Sequence, residues 1–278
     1  MNSRQSNSNP HSAKKSSSSN SSDLSDEKIR LMPKVELHRH LDCSMRISTL
    51  IELAQVLNIP IPDTAEEIEE QFLIKSPMKD LESVLKKFTR SQQVLNSEEI
   101  LARLTFETIE DAFHEGIRIL ELRWAPTYIE QGHEKLNFEK ILRGIRRGAE
   151  MAKDLPIAVG FLAIAQRTLP VATAERVIDF AIDNKDFFVG VDLADNEVGF
   201  HPEAFGPAFQ KARKNDLHVT IHAGEALIPE ASKNVKSSIE LLGAERIGHG
   251  VQIANDPFVT QLVREKAIPL ELCLTSNW

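Results

Sequence analysis

The stretch Lys34-Val-Glu-Leu-His38-Arg-His40-Leu-Asp42-Cys-Ser44 decides how the rest of the chain is read. Val35, Leu37 and Leu41 fall at alternate positions between polar residues, which predicts a strand. Side chains at i and i+2 of a strand share a face. His38 and His40 therefore project together at the strand's end, with Glu36 below them. Two imidazoles so spaced fit a single metal ion; they also fit two unrelated histidines on a half-exposed strand. Apolar neighbours on both sides favour a parallel strand covered on both faces.

Composition narrows the surroundings. With 278 residues, 41% of them hydrophobic and 27% charged, the chain can bury a large core as one domain of the α/β-barrel size. A net charge of −8 without a basic cluster argues against nucleic acid as partner. Cys43 and Cys273 form neither a disulfide framework nor a Cys-x-x-Cys site, which fits a cytoplasmic location. No apolar run approaches the ~20 residues of a membrane span, and the N-terminus has no signal-peptide pattern. Residues 1–26 are Ser/Asn-rich and are expected to form a disordered tail ahead of a barrel over 27–278.

After the opening strand come helical patterns with no strand between them: Ile47 to Leu57, Thr64 to Phe72 with Asp63 as its cap, Leu81 to Leu95, and Ser97 to about Glu115. They read as a helical insertion. From Gly116 onward strands alternate with helices. The strands are Arg118–Trp124, Ile157–Ile164, Phe188–Leu193, Leu217–His222, Ile247–Gly250 and Ile268–Cys273. The helices between them are Phe138–Lys153, Ala174–Asn184, Pro202–Asn215, Ala231–Leu242 and Asp256–Lys266. That alternation predicts a parallel sheet of seven strands.

Chemically useful side chains recur at strand ends: His38 and His40, Asp192 to Glu197, His222 to Glu225, His249, and Ser276 with Asn277. A parallel barrel gathers all these ends at one mouth, whereas an open sheet spreads them along an edge. His222 reads as a third metal ligand and Glu225 as a carboxylate acting on substrate. Their alternatives are a strand-end histidine and a helix cap. His249, between two glycines, is a ligand, a base or a turn histidine. Asp42 holds a substrate hydroxyl, orients a histidine, or caps a helix. His218, four residues before His222 on the same strand and so about 13 Å deeper in the barrel, reads as structural, and Glu121 with Arg123 as filling of the barrel interior. Cys43 and Cys273 read as buried thiols or, less commonly, ligands.

Pro33-Lys-Val-Glu-Leu-His-Arg-His-Leu-Asp42, Thr220-Ile-His-Ala-Gly-Glu225, Arg246-Ile-Gly-His-Gly250 and Leu270-Glu-Leu-Cys-Leu-Thr-Ser-Asn277 resemble, in order and spacing, the adenosine deaminase family of metal-dependent amidohydrolases. The resemblance implies a zinc-bearing TIM barrel, of (β/α)8 type, that hydrolyses adenosine or a related 6-aminopurine to the carbonyl and ammonia. It implies one Zn²⁺ on His38, His40 and His222, Glu225 as proton donor to the purine ring, and His249 as the group activating water. His40, Asp42 and Asp195 would lie against the substrate, a small purine nucleoside; the oligomeric state stays open. Other amidohydrolase-type hydrolysis, or a non-catalytic metal- or nucleoside-binding remnant, are the alternative readings.

Three positions depart from the family pattern. Asp195 stands where a glycine contacts the purine through its N–H, and Cys43 replaces a glycine beside the metal. The sequence stops at Trp278, before the eighth strand and its Thr-Asp-Asp-Pro segment. A barrel lacking its eighth strand, with impaired turnover, is therefore expected.

Overall fold

The computed structural model describes residues 25–277. The chain divides into two units, Met1–Met32 and Pro33–Trp278. In the first, α1 (Asp26–Leu31) is opened by Ser25, whose hydroxyl accepts the Lys28 N–H at 3.3 Å. The rest of the expected tail lies outside the described residues.

In the second unit, seven strands pair in parallel in chain order. They are β1 (Lys34–His40), β2 (Ile117–Trp124), β3 (Ala158–Gln166), β4 (Phe188–Ala194), β5 (His218–Ala223), β6 (Arg246–His249) and β7 (Leu270–Glu271). Between β1 and β2 lie α2 (Ile47–Val56), α3 (Ala65–Phe72), α4 (Leu81–Gln92) and α5 (Glu98–His114), the expected helical insertion. Then come α6 (Pro126–Glu130), α7 (Phe138–Met151), α8 (Val171–Asp183), α9 (Gly206–Lys214), α10 (Ala231–Ser237) and α11 (Pro257–Glu265).

Side-chain contacts show that the sheet is curled. Arg123 of β2 bonds Asp192 of β4 and Glu271 of β7, each at 2.8 Å. In a flat sheet β2 and β7, five strands apart, would stand about 24 Å from each other. The architecture is thus a TIM-type barrel of seven strands, nearly closed. Among the described residues no backbone ladder joins β1 to β7. His38 and Glu271 meet across that seam, side chain to side chain, at 2.7 Å.

Local chemistry sets the element ends. Ser97 caps α5 by accepting the Ile100 N–H, with Glu98 and Glu99 in the first turn where the helix dipole favours acids. Thr64, rather than Asp63, caps α3: it accepts the Glu67 N–H, and its hydroxyl donates back to the Glu67 carboxylate at 2.7 Å. The helix expected over Pro202–Asn215 is split into a 3₁₀ turn (Pro202–Phe205) and α9, because Pro207 has no N–H and restarts the helix. The one expected over Ala231–Leu242 ends in a π-helical turn, Ser238–Leu242, closed by Gly243 at φ 74°. β7 is shorter than expected. Pro269 precedes it, and a tight turn follows in which the Asn277 N–H donates to the Cys273 carbonyl at 2.9 Å.

The helices cover the sheet's outer side, and α5 packs closely on α7. A Cβ added to Gly144 would lie 2.7 Å from the Glu98 carbonyl oxygen. At Gly148, one turn on, it would collide with the Ala102 carbonyl oxygen and the Thr105 Cβ. Backbone atoms cannot step aside as a flexible side chain does. Gly148→Ala is therefore expected to lower stability by about 3 kcal/mol, the upper range for overpacking. A fall in the urea midpoint with unchanged slope would show it; an unchanged midpoint would mean the helices part at no cost.

Candidate metal and catalytic site

Three imidazoles converge where β1 and β5 end. The ring centroids of His38, His40 and His222 lie 4.6 to 5.5 Å apart. His40 Nε2 and His222 Nε2 are 3.1 Å apart, and one ring nitrogen from each of the three falls within 4.8 Å of the others. Carboxylates hold the far side of two rings: Glu271 at 2.7 Å from His38 Nδ1, and Asp192 at 2.9 Å from His222 Nδ1. A carboxylate there keeps the proton on Nδ1 and leaves the Nε2 lone pair free to ligate. The donor set therefore fits a borderline cation such as Zn²⁺, which takes three histidines and keeps a fourth position open. Glu36 is not part of this group. The β1 register is irregular between Glu36 and Arg39, and Arg39 Nε donates to Glu36 at 3.0 Å.

Behind the histidines is a buried ionic network. Arg123, fully buried, bridges Asp192 and Glu271 and also donates to the Leu37 carbonyl. Glu271 takes Arg246 Nε at 2.8 Å and the Thr220 hydroxyl at 3.3 Å as well. Burial alone would raise the Glu271 carboxyl; the His38 hydrogen bond and the Arg123 charge hold it down at about 2. Burial, with the Arg123 charge, lowers His38 to about 3, and burial likewise depresses His40 and His222 well below the usual value.

In the metal-free chain these histidines stay neutral when folded and take up protons on unfolding. Their stabilising contribution is present above about pH 6.5, the ordinary value, and is lost as the pH falls through that value toward 3. Chelator-treated protein is expected to lose stability steeply across that window, with proton uptake on unfolding. A flat urea midpoint between pH 7 and pH 5 would contradict it.

The remaining predicted residues surround this centre. His249 ends β6 in a left-handed conformation, φ 66°, a strain found at functional sites. Its Nε2 is 3.4 Å from Glu225 Oε1, and the Asn277 side-chain amide lies 3.0 Å from its Nδ1. Burial raises the Glu225 carboxyl, favouring its neutral acid form. Asp42 does not cap α2, whose N-cap is Arg46. It is buried in a 3₁₀ turn, with Oδ2 accepting the Ala125 N–H at 2.9 Å and Oδ1 unpartnered. Burial lifts its carboxyl to about 6.

Asp195 holds φ 87°, the region a glycine adopts without cost. Its carboxylate accepts from Gln166 Nε2 at 3.0 Å and from the Thr168 hydroxyl, so the side chain is tied to the end of β3. Cys273 joins His38 and His249 in a second group of close donors, while burial pushes its thiol up to about 11. His218, expected deep in the barrel, is instead exposed at the start of β5 and pairs with Glu245 at 2.7 Å. Glu121 and Arg246 pair inside the barrel at the same N-terminal end. A cavity of about 500 Å³ there, at the far end of the strands from the histidines, has its charged groups already paired with one another.

Sequence reasoning missed Glu271 and the holding role of Asp192. The one signal for Glu271 is an acid alone in an apolar strand, Ile268-Pro-Leu-Glu-Leu272.

A family model described as adenosine deaminase matches residues 33–278. The chain belongs to the adenosine deaminase family. Adenosine deaminase of Clostridium kluyveri is 36% identical over 256 residues, 90% of this chain and 71% of the relative. Adenine deaminase from Arthrobacter aurescens superposes with a TM-score of 0.79 at 26% identity, covering 88% of this chain and 73% of that one. An amidohydrolase from Burkholderia ambifaria with bound Zn gives 0.77 at 26% identity, covering 87% and 65%. The Arabidopsis N6-mAMP deaminase gives 0.77 at 28% identity, covering 90% and 75%. As a member of this family the chain is a hydrolytic deaminase. Among its described residues no helix is long and apolar enough to cross a membrane.

Proposed function

We propose that the chain is a zinc-dependent deaminase of 6-aminopurine nucleosides, converting adenosine and water to inosine and ammonia. The observation that carries this is the meeting of three imidazoles with a buried, neutral-leaning Glu225 beside His249. His38, His40 and His222 would hold one Zn²⁺ per chain. What zinc supplies in such a site is acidified water, its pKa lowered from about 15.7 toward 7. Around it the chain's own groups act on protons. His249 takes the proton as water adds to the amino-bearing carbon. Glu225, protonated, gives its proton to the ring nitrogen, where charge would otherwise build up. As the adduct collapses to the carbonyl, His249 gives its proton to the leaving amino group, which departs as ammonia, and the adduct's hydroxyl proton returns to Glu225.

Substrate choice is read from Asp42. Its buried, unpartnered Oδ1 is an acceptor suited to a sugar hydroxyl. A phosphate in its place would meet a carboxyl of like charge. A free nucleoside is therefore preferred over a nucleotide, and over a bare base that leaves Oδ1 unpaired. In this reading Asp195 and His40 would also lie against the purine nucleoside. A cytoplasmic location belongs to the same reading, supported by two free cysteines. So does a catalytic unit in residues 27–278 behind a tail.

The test is metal analysis together with turnover of adenosine, adenine, AMP and N6-substituted purines. Adenosine is expected to be turned over fastest by protein holding close to one zinc. Preference for AMP or adenine would overturn the nucleoside assignment; zinc with no deamination of any of them would overturn the activity.

A further inference from the structure

Glu225 sits in the Gly224-Glu-Ala226 turn that follows β5, where the Ala223 carbonyl takes the Gly250 N–H at 2.9 Å and the Gly224 carbonyl the Gln252 N–H at 3.0 Å. Two oppositely charged buried side chains hold that turn from either side. Glu197, 2% exposed, lies three residues beyond β4. Its Oε1 accepts the Gly224 N–H at 2.9 Å and Asn234 Nδ2 at 2.9 Å. Its Oε2 accepts the N–H groups of Glu225 at 3.0 Å and Ala226 at 3.1 Å. Both carboxylate oxygens are thus filled by four donors, three of them consecutive backbone amides. Arg167, 1% exposed and just past β3, donates to the carbonyls of His222 and Leu193. The turn begins at a carbonyl tied to a guanidinium and continues through amides tied to a carboxylate.

We propose that Glu197 is the positioning residue of this site, fixing the Gly224–Ala226 backbone so that the Glu225 carboxyl faces the purine ring nitrogen. This rests on the deaminase reading of Glu225. The carboxylate is required as such. In Glu197→Gln one acceptor oxygen becomes an NH₂, and in either amide orientation it faces two N–H donors. The turn should then relax while the strands, the histidines and the ground-state pocket stay in place. A shift of about 1 Å in a reacting group costs up to ~100-fold in rate.

The experiment compares the full chain with Glu197→Gln and, as a milder variant that removes one donor, Asn234→Ala. Amide hydrogen exchange, zinc content, and kcat and KM for adenosine are measured on each. The expected result for Glu197→Gln is faster exchange at residues 224–226 with β5 unchanged. With it, kcat should fall about 10- to 100-fold at constant zinc content while KM moves less than about twofold. Asn234→Ala should show the same split, weaker. Unchanged kcat, or exchange rising across the whole barrel with loss of zinc, overturns the proposal. If the unaltered chain deaminates nothing, the activity reading fails and exchange at 224–226 alone decides whether Glu197 holds the turn.

Discussion

Glu225→Gln is expected to lower kcat for adenosine by about 10³-fold, within the 10²–10⁴ range for a general acid. Glutamine has the same shape and can still hydrogen-bond a ring nitrogen, so substrate should bind nearly as before. What it lacks is a proton to give up. The loss should therefore appear in kcat and leave KM within a few-fold. Zinc content should not change, because Glu225 is outside the group of His38, His40 and His222. Burial raises the Glu225 carboxyl, so the active, protonated form persists to higher pH than an exposed glutamate would allow. In the unaltered chain kcat should fall on the alkaline side as that carboxyl ionises, and the variant should lack this limb. Activity within tenfold of the parent would remove Glu225 from the chemistry.

The second large effect is on stability. Arg123→Met leaves Asp192 and Glu271 buried without their shared counter-charge; Arg123 and Asp192 are fully buried, and the Glu271 side chain is 5% exposed. Breaking one buried ion pair from one side typically costs ~3–5 kcal/mol; here Asp192 loses its guanidinium, and Glu271 loses one of two, keeping Arg246. The whole stability of a domain is about 5–15 kcal/mol. The variant should thus be largely unfolded or close to it in the absence of metal. Arg123→Lys should rescue little, since one ammonium cannot reach two carboxylates and the Leu37 carbonyl in the geometry of a planar fork. Zinc affinity should fall by ~10–100-fold even where folding survives, because these carboxylates orient His38 and His222. Urea unfolding with and without Zn²⁺ measures both. A loss below about 1 kcal/mol would show that the network relaxes around the missing charge.

What could be read from the sequence was local. Alternation in Val35 to Leu41 and strand-helix alternation after Gly116 gave the barrel and its mouth, because period and strand direction are properties of short segments. His38, His40, His222, Glu225 and His249 could be picked out because each sits at a strand end. What holds them could not. Glu271 reaches His38 across 233 residues, and Arg123 reaches Asp192 across 69, and such pairings have no local signature. Glu197 was visible as part of a polar strand end, but its carboxylate's partners lie 27 to 37 residues downstream. His218 was misplaced because strand parity gives the face and not how far the barrel wall extends over it. Asp63 lost its capping place to Thr64, one residue on, which could also exchange hydrogen bonds with Glu67.

The joint between β1 and β7 has a thermodynamic consequence. Those two outer strands share no amide ladder among the described residues; they meet directly through the His38–Glu271 imidazole–carboxylate contact and indirectly through Arg123, which bonds both the Leu37 carbonyl and Glu271. The same imidazole is a ligand candidate, so occupancy of the cation and cohesion of the sheet's two margins become linked equilibria. Protease nicking near residues 34–40 and 268–273 would then report metal loading without any catalytic assay.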